Sequence, residues 1–138
     1  MPYTFRIIDD GTGVIRTGSG VVTADEIITS AHETRSNPGR ARKLTHALVD
    51  FSTITELRIS NHEMHSVVHA TTAVAKLTPG AVVALVAPAS HAFGIARMWE
   101  TLMDEAGWIT GVFRERPEAE TWMREQLAGL QGEAAPSA

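Results

Sequence analysis

In the second half of the chain, hydrophobic residues first form an uninterrupted run and then recur at helical spacing. Residues 81–87 (AVVALVA) are apolar without interruption, which predicts a strand that is buried on both faces. The next segment, SHAFGIARMWETLM, repeats apolar residues at helical spacing, and a short strand (ITGVF) and a second helical segment (PEAETWMREQL) follow it. This alternation of strand and helix predicts an α/β domain whose core strands are parallel.

The first half begins with two short β-prone segments around a turn rich in glycine and aspartate. Tyr3–Ile8 and Val14–Thr17 flank residues 9–13 (DDGTG), a composition typical of a hairpin. We therefore expect these two strands to pair antiparallel. Residues 18–23 (GSGVVT) are predicted to form a turn into the first long helix, because Thr23 opens a capping-box sequence, TADE.

A third strand and a further capped helix complete the order of elements. Ala47–Phe51 is an apolar strand, and SNHE repeats the capping-box pattern before a helix that reaches about Leu77. The pattern predicts a mixed sheet of about five strands with a parallel core, in the order β-β-α-β-α-β-α-β-α. Residues 1–128 are predicted to be a single domain, and the small, polar residues 129–138 a disordered tail.

Composition disfavours several classes of function. The 138 residues carry a formal net charge of −4 with both signs scattered along the chain, so no surface for nucleic acid is expected. The absence of cysteine removes disulfides and thiolate chemistry, and it fits a reducing compartment. No apolar segment reaches the roughly 20 residues that a transmembrane segment needs. These features predict a cytoplasmic protein.

Three histidines lie on the predicted helix that begins after Ser60. His62, His65 and His69 fall within a stripe about 60° wide, and the apolar positions of the same helix point more than about 100° away from them. The histidines therefore face outward. They are surface candidates for a metal, but no other element supplies a recognisable further ligand, and we predict neither a metal nor a cofactor.

The carboxyl ends of parallel strands are the expected ligand-binding edge of such a sheet. Asp50, Ser52 and Ser60 follow the third strand, and Ser90 and His91 follow the fourth, so all five should meet at this edge. Both Ser60 and Ser90 also suit helix caps. No nucleophilic triad and no acid–base pair of carboxylates can be recognised from spacing, and we predict that the protein is not an enzyme.

The helix after the fourth strand has more apolar residues than one face against a sheet requires. Phe93, Met98 and Trp99 are prominent among them. They are candidates for a protein-binding face, for a homodimer contact or for the wall of an apolar pocket, and packing against the last helix through Trp122 is the alternative. Gly94 would allow another helix to approach closely.

Several segments together resemble a family of small bacterial α/β proteins, the SpoIIAA-like or STAS/SEC14 domain-containing proteins. The resemblance spans residues 3–128. It rests on GVVTADE before the first helix, ALVDFS at the third strand, VALVAP at the fourth, FGIARMW on the next helix, and VFR followed by EAETW near the end. The resemblance implies a STAS-like sheet flanked by helices, similar in architecture to anti-sigma-factor antagonists and to lipid-binding SEC14 domains.

In the antagonists, a partner kinase phosphorylates a serine at the start of the helix after the third strand. The resemblance places Ser60 at that position, although Arg58 and Ile59 stand where an aspartate and a serine are expected. It implies a non-enzymatic regulatory module that acts through a protein partner, or a small apolar or anionic ligand, at the carboxyl edge. A SEC14-like carrier of a small apolar or lipid ligand is the alternative, and a hydrolase at the same edge is a third.

Overall fold

The computed structural model describes residues 3–134 as a five-stranded sheet with helices on both faces. Its strands are β1 (Tyr3–Ile8), β2 (Gly13–Thr23), β3 (His46–Arg58), β4 (Val82–Val86) and β5 (Ile109–Phe113). Its α-helices are α1 (Ala24–Arg35), α2 (Pro38–Ala41), α3 (Asn61–Ala75), α4 (Ser90–Leu102) and α5 (Arg116–Ala134). The strands pair in sequence order, β1 with β2 antiparallel and the others parallel, so the predicted fold class is confirmed.

Each face of the sheet has its own core. On one face, α5 packs on β3 and β4 through Ala119 and Met123. On the other face, α1, α3 and α4 enclose a larger core in which Phe51, Leu85 and Trp99 are all buried. This division follows from the strand order, because each right-handed crossover between sequential parallel strands returns its helix to the same face.

The central strand matches the prediction closely. Residues 81–87 are all buried, as their uninterrupted apolar pattern predicts. Side chains of β4 alternate between the two cores, with Val83 and Leu85 in the larger one and Val82 and Ala84 on the α5 side. A strand buried in this way needs apolar residues at every position, which is why its sequence shows no period of two.

Strands β2 and β3 are longer than predicted, and this changes the carboxyl edge. Residues 18–23, predicted as a turn, continue β2 with irregular register on either side of residues 19–20. Residues 51–58 continue β3 beyond its last pair with β4 and bond only to β2, although all of them except Phe51 were predicted as a loop. The reason is the run of β-branched residues in each extension, VVT at residues 21–23 and TIT at residues 53–55, because such residues favour extended backbone. The predicted capping box at Thr23 is confirmed.

Two further differences concern the helices. The short helix α2 follows α1 and was not predicted; its N-cap is Asn37, whose side chain accepts a hydrogen bond from the Arg40 amide. Helix α5 includes residues 129–134, which were expected to belong to a disordered tail, while residues 135–138 lie outside the described residues. Within residues 3–134, no helix is both long and apolar enough to cross a bilayer.

Two glycines provide a matched test of this packing. A Cβ added at Gly18 would lie 2.7 Å from the Phe51 ring, whereas a Cβ at Gly94 on α4 would meet no atom within 4 Å. We expect Gly18→Ala to lower the free energy of unfolding by about 1–3 kcal/mol through overpacking. Gly94→Ala should raise it by up to about 1 kcal/mol, because alanine favours helix. Urea unfolding of both variants measures the difference, and equal effects would contradict the position of β2 against Phe51.

Candidate functional site

The carboxyl ends of β3, β4 and β5 meet at one rim, and Asp50 lies at its centre. Asp50 pairs with Val86 at the last rung between β3 and β4, so it is inside a strand and not in the loop where it was predicted. The residue is 8% exposed, and its carboxylate accepts hydrogen bonds from the Ser52 amide, at 2.8 Å, and from Arg116 Nη1, at 3.1 Å. Arg116 also pairs with Glu120 at 3.0 Å. Asp50 therefore ties β3 to the first turn of α5.

A second basic residue ties β5 to α4 at the same rim. The Arg114 guanidinium donates hydrogen bonds to the Pro88 carbonyl at 3.1 Å and to Ser90 Oγ at 3.5 Å. It also lies 4.2 Å from the centre of the Phe93 ring, in a cation–π contact. Asp50 and Ser90 thus stand on the same side of the molecule, each bonded to an arginine that follows β5.

The projecting end of β3, residues 51–58, carries an exposed ion pair. Glu56 and Arg58 are bidentate, with both N–O distances at 3.0 Å. Hydrogen bonding to Arg58 lowers the pKa of Glu56, and His91 on α4 lies close enough to add a smaller effect of the same sign.

Ser60 and Ser90 differ in their roles. Ser60 is the N-cap of α3, where its hydroxyl accepts from the Glu63 amide at 3.1 Å and its own amide donates to Glu63 Oε1 at 2.9 Å. The bond from the Ser60 amide to the carboxylate is the largest cause that lowers the pKa of Glu63, and the Ser60 hydroxyl adds to it. Ser90 is the first residue of α4, whose N-cap is Ala89 with no side-chain bond, so its predicted capping role is wrong.

The rim does not assemble a nucleophile with a base. Among the hydrogen bonds of the described residues, none links Asp50, Ser90 and His91 into a relay. Asp50 is occupied by an amide and an arginine, and Ser90 accepts from Arg114. The Ser52 side chain is exposed beside Asp50. The arrangement provides a polar surface with fixed charges, and it lacks the contacts that general base catalysis at a serine requires.

The apolar residues predicted to form one face of α4 point in three directions. Phe93 lies at the rim beneath Arg114, and Trp99 is buried towards the sheet. Met98 is 45% exposed, like Leu102 on the same helix. The apolar residues of α4 therefore do not form a single face: Phe93 contacts Arg114 at the rim, Trp99 packs in the core, and Met98 and Leu102 are exposed.

The three histidines of α3 are all exposed, as predicted from their angular position. His62, His65 and His69 lie on the side of the helix opposite its buried residues, among them Met64 and Val67. Within the part of the chain that the structure describes, no group of three or more histidine or acidic side chains converges on a point where a metal could bind.

A cavity of about 120 Å³ lies between the sheet and the layer of α1, α3 and α4. The backbone of α3 packs along α1 but stays away from the strands, and the middle of the sheet keeps accessible surface beneath it at Ala47 and Val49. Two tryptophans form part of the wall, and their indole N–H groups donate to threonine hydroxyls elsewhere in it. The rest of the lining is almost entirely apolar.

Sequence reasoning missed three features of these sites. Arg114 and Arg116 were not predicted, although two arginines directly after the last strand are the signal that could have identified them. Arg16, which lines the cavity from β2, looked like an ordinary polar position in a hairpin strand. The third feature is the position of the cavity: an apolar pocket was one alternative predicted for α4, but of Phe93, Met98 and Trp99 only Trp99 lines the cavity.

The two serines give a direct test of the capping assignment. We expect Ser60→Ala to lower the free energy of unfolding by about 1 kcal/mol, the usual cost of removing an N-cap hydroxyl. Ser90→Ala should change it by less than about 0.5 kcal/mol, since that hydroxyl caps nothing and is exposed. Urea unfolding at neutral pH measures both values, and equal losses would show that the Ser90 contact with Arg114 matters as much as a cap.

Comparison with known proteins identifies the fold. No family model and no curated protein matches this chain. Among solved structures, that of the anti-sigma factor antagonist SpoIIAA in its unphosphorylated form is similar, with a TM-score of 0.52 and 10% sequence identity over 90% of this chain and 97% of that one. At this identity the likeness concerns the fold alone. The resemblance predicted from the sequence motifs is thus confirmed at that level, and the chain has the STAS fold of that antagonist.

Proposed function

We propose that this chain is a non-enzymatic regulatory module that binds a protein partner at the carboxyl rim of its sheet. The observation that carries the proposal is the projecting end of β3, residues 51–58, which pairs with β2 on one side only. The similarity in fold to an anti-sigma factor antagonist supports a regulatory role. The absence of cysteine fits our proposal that this role is exercised in the cytoplasm.

A strand that projects beyond its neighbour leaves backbone N–H and C=O groups without ladder partners, and such edges recruit other chains. Ser52, Thr55 and Glu56 are exposed along this segment, and Arg58 lies exposed at its end. A partner at the rim would therefore meet both main-chain bonding groups and a fixed pattern of charge. Charge patterns of this kind favour specificity among partners more than affinity.

Phosphorylation of Ser60 would regulate such a surface by adding charge at its border. The hydroxyl is exposed at the start of α3, where the helix dipole favours an anion. The neighbouring Glu63 carboxylate, which bonds to the Ser60 amide, opposes a second negative charge. A phosphate on Ser60 would have to displace this carboxylate, so we propose that any such modification also loosens the first turn of α3.

The hydrolase alternative has less support than a binding role. Asp50, the best placed carboxylate at the rim, is committed to Arg116 and to the Ser52 amide. A general base has to reach the proton that it removes, and none of the hydrogen bonds among the described residues brings His91 to a serine. Unchanged ester hydrolysis after Ser90→Ala would remove the alternative.

The exposed ion pair of β3 allows a sharp test of partner binding. A partner is first captured on the immobilised full chain, identified by mass spectrometry, purified, and measured against the wild type. We expect Glu56→Ala/Arg58→Ala to weaken its binding at least tenfold, because the rim loses both charges that a partner would read. Exposed pairs contribute little to folding, so the variant should remain folded.

A second exposed ion pair serves as the control. Arg97 and Glu100 pair at 3.3 Å on α4, away from the projecting end of β3. We expect Arg97→Ala/Glu100→Ala to bind the purified partner as the wild type does. Equal weakening by both double variants, or the failure of every captured protein to bind again after purification, would contradict the proposal.

The cavity favours a second function, the carriage of a small apolar ligand. Its volume of about 120 Å³ approaches that of an engineered cavity of about 150 Å³ that binds benzene. Apolar surface on both the sheet and the helices lines it, so a ligand of matching size would gain contacts without displacing a packed side chain.

Filling the cavity tests the carrier function. We expect 1-hexanol to shift methyl NMR signals of cavity-lining residues, and Val49→Phe to weaken this binding at least tenfold because the added ring occupies the same space. Ile15→Phe adds the same kind of ring on the α5 side of the sheet and should leave binding unchanged. Shifts that are absent, or equally weakened by both variants, would contradict the carrier function.

A further inference from the structure

We propose that the cavity binds a small apolar carboxylate whose headgroup is held by Arg16. The inference rests on the second function proposed above, the carriage of a ligand in the cavity, and names the chemical class of that ligand. It is carried by the position of one cation at the boundary of an otherwise apolar space. Three properties of the site support it: the charge at its boundary, the free hydrogen-bond donors of Arg16 and the volume of the cavity.

Arg16 on β2 is half-buried and faces α1. Its guanidinium donates to Ser30 Oγ and, at 2.8 Å, to Thr34 Oγ1, and it lies 5.5 Å from the centre of the Phe5 ring. Within the described residues, no carboxylate approaches Arg16 within the 4 Å of an ion pair. A half-buried guanidinium without a carboxylate partner, at the boundary of an apolar cavity, is suited to hold the headgroup of an anionic ligand.

The lining of the cavity offers Arg16 no counter-charge. It contains no aspartate or glutamate, and its other ionisable side chains are Tyr3 and His46. His46 is already bonded to Asp9 outside the lining, with its Nε2 2.7 Å from the carboxylate. The field inside the cavity is therefore set chiefly by Arg16.

The nearest acidic residues face a different space. Asp25, Glu26 and Glu33 line a cleft between β1 and α1 on the outer side of this helix. Glu26 is engaged in the capping box at Thr23, and the other two are exposed. These carboxylates would repel an anion from the outer cleft, while none of them lines the cavity.

The guanidinium has capacity left for a ligand. It carries five N–H donors in a planar fork, and the two hydroxyls use two of them. A carboxylate matches such a fork with two parallel bonds. A phosphate headgroup would be harder to place here, because a second negative charge raises the cost of leaving water for an apolar site.

The size of the cavity limits the apolar part of the ligand. A volume of about 120 Å³ corresponds to a ring or chain of about six carbons, by comparison with the benzene-binding cavity of about 150 Å³. Val49, Leu57, Met64 and Trp99 are among the side chains that would surround it. A long-chain lipid does not fit within this volume.

Tyr3 provides an internal reporter of the headgroup. It is the only tyrosine in the chain and lies at the same end of the cavity as Arg16. Burial raises the pKa of Tyr3, and the positive charge of Arg16 opposes that rise. An anion bound to Arg16 cancels the opposing effect, so the pKa of Tyr3 should move further upward when the ligand is a carboxylate.

The experiment compares three probes of one chain length, hexanoate, 1-hexanol and hexylamine, by methyl NMR titration of the full chain. We expect hexanoate to bind at least tenfold more tightly than 1-hexanol, and hexylamine to bind most weakly. Arg16→Met should bring hexanoate to the level of 1-hexanol and leave 1-hexanol unchanged. Arg40→Met is the matched control, because Arg40 stacks on the same Phe5 ring, at 5.5 Å, but does not line the cavity.

The possible results separate this inference from the carrier function beneath it. Binding of hexanoate and 1-hexanol with equal affinity would overturn the role of Arg16 and leave the carrier function in place. Binding of neither would overturn both. If Arg16→Met does not fold, absorbance titration of Tyr3 in the wild type decides. An upward shift with hexanoate that 1-hexanol does not produce supports the inference, and equal shifts overturn it.

Discussion

The constraint behind both candidate sites is the order of the parallel strands. Four strands pair in the order in which they occur, so three successive crossovers return to one face of a narrow sheet. Three helices have to share that face, and α3 packs along α1 with its backbone held away from the strands. The space beneath it is the cavity, and the common direction of the strands is what gathers their carboxyl ends at a single rim. One topological fact therefore produces a surface site and an internal one.

Strand β3 connects the two sites. Its side chains alternate across the sheet, so Val49 and Phe51 face the cavity while Asp50, between them, faces the α5 side and bonds Arg116. Beyond Val86 the same strand continues without β4 and becomes the projecting end at the rim.

The sequence predicts the fold well where local signals agree with tertiary packing. The uninterrupted apolar run of β4 and the capping boxes at Thr23 and Ser60 are of this kind, because each depends on residues within a few positions. Ser90 shows the limit, since α4 begins one residue earlier than its serine suggests. Arg16 bonds to hydroxyls 14 and 18 residues away, and Arg116 bonds to Asp50 66 residues away, so only the folded sheet brings these groups together.

The charges at the rim divide into two kinds, and their burial decides what each can do. Asp50 is buried and accepts hydrogen bonds from two donors, the Ser52 amide and Arg116 Nη1, so losing its charge would leave the amide without a partner and Arg116 paired with Glu120 alone. Glu56 and Arg58 are exposed and screened by water, and their pairing contributes little to folding. Because folding depends little on the pair of Glu56 and Arg58, each side chain can form ion pairs with charged groups of another protein instead. This is why the exposed pair, and not the buried carboxylate, is the part of the rim suited to recognising another protein.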